Sequence, residues 1–329
     1  MSANDEQPSG GPQSRIVGLS EASLRRWREL GAKHPVLGFG ETMYERDQAA
    51  FGSVLGSAIA LRLFLFVIPA NVTLVGLVNL LRLGALMDRH LNASATTQPI
   101  AEALGQLSWS KSLWIVLTGL ILTAWAGRSL ARVLASSSAL AWALSSGSSR
   151  VSIRTALMLT GVLLIGIVAG SAFSSIERLG GVAATLGGWF GVFAMVSVVW
   201  FAIMLTLPRG TSDPGALLPA AVLFGVGYTV LQWFMQMYVP NRVARTSDTL
   251  GELAGTVAAL GNFFLMGRLM SLSFVVSAVL YERIGSVSSA LFALPGVRAI
   301  PRRVPRVATY FALDEAPRRL NEPSGTKGD

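Results

Sequence analysis

Apolar residues run almost unbroken through six stretches of the chain, at about 51–82, 112–144, 152–175, 181–207, 214–239 and 251–281. Each is longer than the ~20 residues that a helix needs to cross a hydrocarbon core ~30 Å thick. The pattern predicts an all-α integral membrane protein, a bundle of six transmembrane helices. The first, second and sixth stretches exceed 30 residues, so they tilt, kink or extend beyond the bilayer. Pro69 is expected to kink the first, because it lacks a backbone donor and crowds the preceding turn. Pro219 falls in the first two turns of the fifth, where proline costs less. These two prolines, with Gly225 and Gly227, are read as kink and packing positions.

Polar sequence frames the spans. Residues 1–50 form a cytoplasmic N-terminal segment, 51–281 the six-helix domain, and 282–329 a mostly disordered, basic cytoplasmic tail that holds one short apolar piece at 286–295. Within the first segment, Leu24, Trp27 and Leu30 recur at helical spacing opposite Arg25, Arg26 and Arg28. That pattern suits a helix on an anionic membrane surface and equally a helix packed on the protein. No short apolar run near the start ends in a small-residue cleavage site, so no cleaved signal peptide is expected.

Charge sets the orientation. With the N-terminus cytoplasmic, 17 of the 27 Lys and Arg residues fall on the cytoplasmic side and 6 on the other. This is the usual positive-inside bias. Both termini are then cytoplasmic, which an even number of spans satisfies. The net charge of +9 calls for no nucleic-acid partner, since almost half of the excess lies inside the spans.

Composition closes several chemical routes. Hydrophobic residues make up 52% of the chain and charged residues 14%, against about 25% charged in soluble domains. Cysteine is absent, and histidine occurs only at His34 and His90. That leaves no thiolate or histidine metal site and no histidine-based catalytic triad. No cofactor and no enzymatic activity are expected. Asp248 and Glu252 read as a solvated helix start, where acids are favoured.

The remaining charges are Arg62, Arg128, Arg132 and Arg268, within apolar stretches whose one acid is Glu252, at the start of the sixth. At ~1.5 Å per residue they lie about 17, 24, 18 and 20 Å from the cytoplasmic ends of their spans. Arg128 and Arg132 share one helical face. An arginine fork pairs well with phosphate or carboxylate. The four are therefore candidate contacts for an anionic substrate, with Asn71 and Asn262 as neutral polar candidates. The alternative for the arginines is snorkelling to the interface, and for the amides an interhelical hydrogen bond. GxxxG pairs at Gly52/Gly56, Gly166/Gly170, Gly187/Gly191 and Gly251/Gly255 read as packing surfaces.

Two regions carry a family resemblance. GSAIALRLFLFVIP, ending at Pro69, resembles the A-x-A-x-R-x-F pattern of the YihY/virulence factor BrkB family, historically labelled ribonuclease BN, with Arg62 and Phe64 on the pattern. LLPAAVLFGVGYTVLQ, from Leu217 to Gln232, resembles that family's LLPGA…G-x-G…VLQ run. The chain departs from it at Ala220, at Leu250, and at Ser273–Ser277, where the family's late acid and amide are missing. The resemblance covers about 45–282 and implies a multi-pass protein of the plasma (inner) membrane. It fits transport or flipping of an anionic, lipid-like substrate, with anionic membrane lipids as partners and homo-oligomerisation left open. A non-transporting envelope-assembly or scaffold protein is the alternative, and a ribonuclease ranks last because no residue constellation supports it.

Overall fold

A computed structural model describes residues 35–80, 109–144, 152, 155–158, 160–164, 182–250, 253–293 and 311. Among these residues the fold is helical, without strands. The helices are α1 (Pro35–Ala49), α2 (Gly52–Leu80), α3 (Trp109–Ala141), α4 (Val182–Thr206), α5 (Leu218–Leu250), α6 (Leu253–Ile284) and α7 (Val287–Ala293), with a 3-10 turn at Pro214–Ala216 before α5. Five of them contain stretches long and apolar enough to cross a membrane: Gly52–Leu74, Trp109–Ala141, Leu186–Thr206, Pro214–Met237 and Val257–Ile284. The chain is a multi-pass membrane protein.

The expected spans at 51–82, 112–144, 181–207, 214–239 and 251–281 correspond to α2 to α6. The third expected span, 152–175, does not appear as a crossing helix among the described residues. Only the short apolar helix Thr155–Leu164 is seen there, and the rest of that stretch lies outside the described residues. The expected helix at 20–31 also lies outside them. Two features were not anticipated. Helix α5 continues beyond its apolar part to Leu250, and α1 precedes the first span. Helix α1 lacks a strong apolar face and carries Gly38 and Gly40, so its own sequence favours helix weakly. Tertiary contacts hold it instead, with Phe39 and Met43 packed against the core. The chain turns sharply into α2 at Phe51, whose φ of 51° is left-handed.

The long helices form a row in the order α3, α2, α6, α5, α4, and α6 also touches α3. In a bilayer, lipid is as apolar as leucine, so close backbone approach and local hydrogen bonds must supply the cohesion. The α2/α6 contact shows this. A Cβ added at Gly267 would lie 2.3 Å from the Gly56 carbonyl oxygen and 2.7 Å from the Ala60 nitrogen. Gly225 and Gly227 do similar work on α5: a Cβ would meet Ser197 Oγ at 2.0 Å and Leu269 Cδ1 at 2.6 Å, respectively. Of the GxxxG pairs, Gly52/Gly56 packs against α6, whereas Gly187 has open space around it. Pro69 sits inside α2, which runs through it unbroken, and Pro219 lies in the first turn of α5.

The aromatic core lies between α4, α5 and α6. Trp200 stacks on Phe224 with ring centroids 4.4 Å apart and lies 5.5 Å from Phe274. Its indole N–H donates to Ser273 Oγ at 3.0 Å, which satisfies the one polar atom of a fully buried ring. Outside this core the spans expose large apolar side chains, among them Leu61, Trp114, Trp125, Phe190 and Val198. That surface would be an aggregation hazard in water and is the lipid-facing surface here.

Gly267→Ala places a methyl group against backbone that cannot yield. It is expected to destabilise the protein by about 1–3 kcal/mol, seen as a lower Tm in detergent. Gly261→Ala has nothing within 4 Å and is expected to be neutral or stabilising by up to about 1 kcal/mol. Equal losses at both positions would show that the close approach is not what Gly267 provides.

Candidate functional site

Helices α2 and α3 are antiparallel and registered by small and hydroxyl residues. A Cβ at Gly119 would lie 2.6 Å from Thr73 Oγ1, and one at Gly76 would lie 3.0 Å from Val116. The hydroxyls of Thr73 and Thr123 meet at 3.2 Å between the helices. Each also donates back along its own helix, Thr73 to the Pro69 carbonyl and Thr123 to the Gly119 carbonyl, both at 2.7 Å. Carrying this register along the pair sets Arg62 opposite residue ~130 of α3, between Arg128 and Arg132.

Alongside that contact the two helices line an open groove of about 560 Å³. Leu65, Ile68, Pro69 and Val72 form one wall, and Trp114, Leu122 and Trp125 much of the other. Its polar side chains are Arg62, Thr118 and Ser129. Arg62, Arg128 and Arg132 are exposed, and among the described residues the guanidinium of none of the three makes a hydrogen bond or ion pair. A guanidinium this far along an apolar span is costly unless a ligand, water or headgroup meets it.

Arg268 has a different environment. Its guanidinium forks onto the carboxylate of Asp47, Nη1 to Oδ1 at 2.9 Å and Nη2 to Oδ2. The Asp47 side chain is 7% exposed and that of Arg268 33%. Glu252 is the one acid of the apolar stretches, and the partner of Arg268 comes instead from α1, outside them. Gly52 makes the room: a Cβ there would fall 2.0 Å from Asp47 Oδ1 and 2.7 Å from Arg268 Nη1. Two further tethers hold α1. Arg46 bonds to Glu282 at 3.1 Å and to the Ala141 carbonyl at 3.0 Å, and Arg283 donates to the Gly38 carbonyl at 2.8 Å and to Thr42.

Arg268, read from the sequence as one of four candidate contacts for an anionic substrate, therefore does not join the other three. By register Arg268 lies only about 5–9 Å from the level of Arg62. The two are nonetheless on opposite sides of α2. Gly52, Gly56 and Ala60 face α6, and the ridge of Arg62, Leu65, Pro69 and Val72 lies about 160–240° around the helix from Gly56. Arg268 is occupied by an internal carboxylate, and the groove arginine is not.

The neutral candidates sit away from the groove. Asn71 donates to the Val67 carbonyl of its own helix at 3.0 Å, so its bond is intrahelical rather than interhelical. Asn262 is half-buried and makes no hydrogen bond among the described residues. Tyr228 and Gln232 pair within α5 at 2.7 Å. No group of three or more His, Asp or Glu residues that could hold a metal occurs among the described residues. Sequence reasoning missed Asp47, Ser129, Thr118 and the two groove tryptophans. A signal for Asp47 was present: an acid five residues before a Gly-x-x-x-Gly that opens a span. The groove residues also share helical faces, Arg62 with Leu65, Pro69 and Val72, and Trp114 with Thr118, Trp125 and Ser129.

No family model, curated protein or solved structure matches the chain.

Asp47→Asn leaves Arg268 without its counter-charge. Breaking a fully buried pair costs about 3–5 kcal/mol, and the partial exposure of Arg268 reduces this to about 2–3 kcal/mol. Asp47→Asn/Arg268→Met, which removes both charges, is expected to be more stable than Asp47→Asn alone in detergent thermal melts. A simple sum of the two single losses would show that the charges do not interact.

Proposed function

We propose that the protein moves an anionic, lipid-like substrate across the membrane and that the groove between α2 and α3 is where it binds. The observation that carries this reading is Arg62, an exposed cation whose guanidinium has no protein partner among the described residues, in a groove that is apolar apart from Thr118 and Ser129. An apolar wall suits an acyl chain, and a guanidinium fork suits a phosphate or carboxylate headgroup. Arg128 and Arg132, near the same level of α3, add positive potential. Arg268 belongs to the framework in this reading.

The YihY/BrkB-like motifs agree with it, since Arg62 and Phe64 fall on the pattern that opens the first span. We further propose that 152–175 completes a six-span arrangement with both termini in the cytoplasm of a cell whose plasma membrane holds the protein, and that the protein catalyses no covalent change. Anionic lipids are its partners, and a homo-oligomer is compatible with the lipid-facing surface.

The Asp47–Arg268 pair favours a second reading, a scaffold without transport, because there an arginine within a span is met by a carboxylate of the protein itself. The two readings separate in liposomes that contain a fluorescent phosphatidylglycerol analogue. Transport predicts protein-dependent movement that Arg62→Ala slows about tenfold or more, the scale of one lost charge-assisted contact. Arg62→Lys should retain part of the movement. The scaffold reading predicts no movement above protein-free liposomes and a lower Tm for Arg62→Ala. Movement that is unchanged in Arg62→Ala would sink the transport reading.

A further inference from the structure

We infer that the groove seats one anionic lipid in a fixed direction, its phosphate or carboxylate on Arg62, Ser129 and Arg132 and its acyl chain running from there toward Trp114. This rests on the groove being an anionic-lipid site and adds the orientation and the leaflet from which the lipid comes.

The polar groups of the groove are unevenly placed. Arg62 and Ser129 mark one end, and Trp114 lies 15 residues, about 22 Å, along α3 at the other. Between them Thr118 is the one side-chain hydroxyl among the lining residues. At about 100° per residue, Arg132 and Ser136 continue the ridge of Trp125 and Ser129 toward the end of α3. Arg132 is exposed, and Ser136 donates to the Arg132 carbonyl at 3.0 Å. A polar strip therefore leads from the C-terminal end of α3, which lies beside the start of α2, inward to Arg62, where the apolar groove begins. A headgroup can follow the strip to Arg62 while its chain stays in the groove. The lipid then comes from the leaflet on the side where α2 starts.

Among the described residues the reverse direction has one cation of its own. Lys111 lies on the same ridge of α3, one turn before Trp114, and is exposed. It stands near the start of the helix, where water or interfacial headgroups solvate an ammonium without a dedicated ligand. Arg62 lies ten residues, about 15 Å, into α2. Its charge has the greater need of a counter-anion, and its fork can take two oxygens at once.

The chain has no cysteine, so single Thr118→Cys and Ser136→Cys variants can each carry one bimane label in detergent. The probe is dilute phosphatidylglycerol with a nitroxide at the end of its chain. The expected result is stronger quenching at 118 than at 136, with affinity about tenfold weaker in Arg62→Ala and little changed in Lys111→Ala. Phosphatidylcholine with the same nitroxide should quench both positions weakly and alike. Stronger quenching at 136, or a loss confined to Lys111→Ala, overturns the direction and leaves the anionic-lipid reading standing. Equal quenching by phosphatidylcholine overturns both. Displacement of the lipid by an equal concentration of inorganic phosphate would show that the site takes the free anion, and overturns the lipid seat. Thermal melts of each labelled variant confirm that folded protein is being read.

Discussion

An arginine cannot shed its proton, so each one placed within a membrane span must be met by something that carries or accepts charge. This constraint organises the protein more than any single apolar contact. Two solutions occur within a few turns of each other, on opposite faces of α2. On one face a carboxylate from outside the spans folds back to meet Arg268. On the other, Arg62 opens onto a groove that the described protein leaves unfilled. The first solution makes structure, and the second is the place we propose for a ligand.

Both depend on how closely α2 approaches its neighbours. Toward α6, Gly52, Gly56 and Ala60 present almost no side chain, and Gly267 answers from the other helix. The backbones close to a distance at which dispersion contacts replace the hydrophobic drive that lipid cannot provide. The same smallness leaves a slot at Gly52 that the Asp47 carboxylate and the Arg268 fork fill together. Toward α3, Thr73, Gly76 and Gly119 bring the helices close, while Arg62, Pro69 and the bulky side chains beside them line a groove along one side of that contact. Close packing and an open groove are thus two outcomes of one rule, the size of the side chain on each face.

Helix α1 shows what the constraint asks of a polar segment. Its apolar contacts are few, and its position rests on Asp47 to Arg268, Arg46 to Glu282 and Arg283 to the Gly38 carbonyl. Such bonds are strong where water is scarce and weak where it is plentiful. Asp47, nearly buried, is accordingly the firmest of these tethers, and the exposed contacts of Arg283 the weakest.

The amino-acid order alone determined the membrane class, the helical fold and the ends of most spans, because a bilayer imposes length and apolarity on each segment separately. It also identified Arg62 as a charge needing a partner. The amide of Asn71, which looked available for interhelical contact and turns back on its own helix, shows how local bonds absorb polar groups. What the sequence did not reveal was which partner each charge has. Asp47 and Arg268 are 221 positions apart, and Arg62 reaches its groove partners only through the register that Thr73 and Thr123 set. Pairing across helices depends on phase and register, which no single segment encodes. The tertiary structure therefore decided that one arginine is neutralised from within and that another faces an open groove.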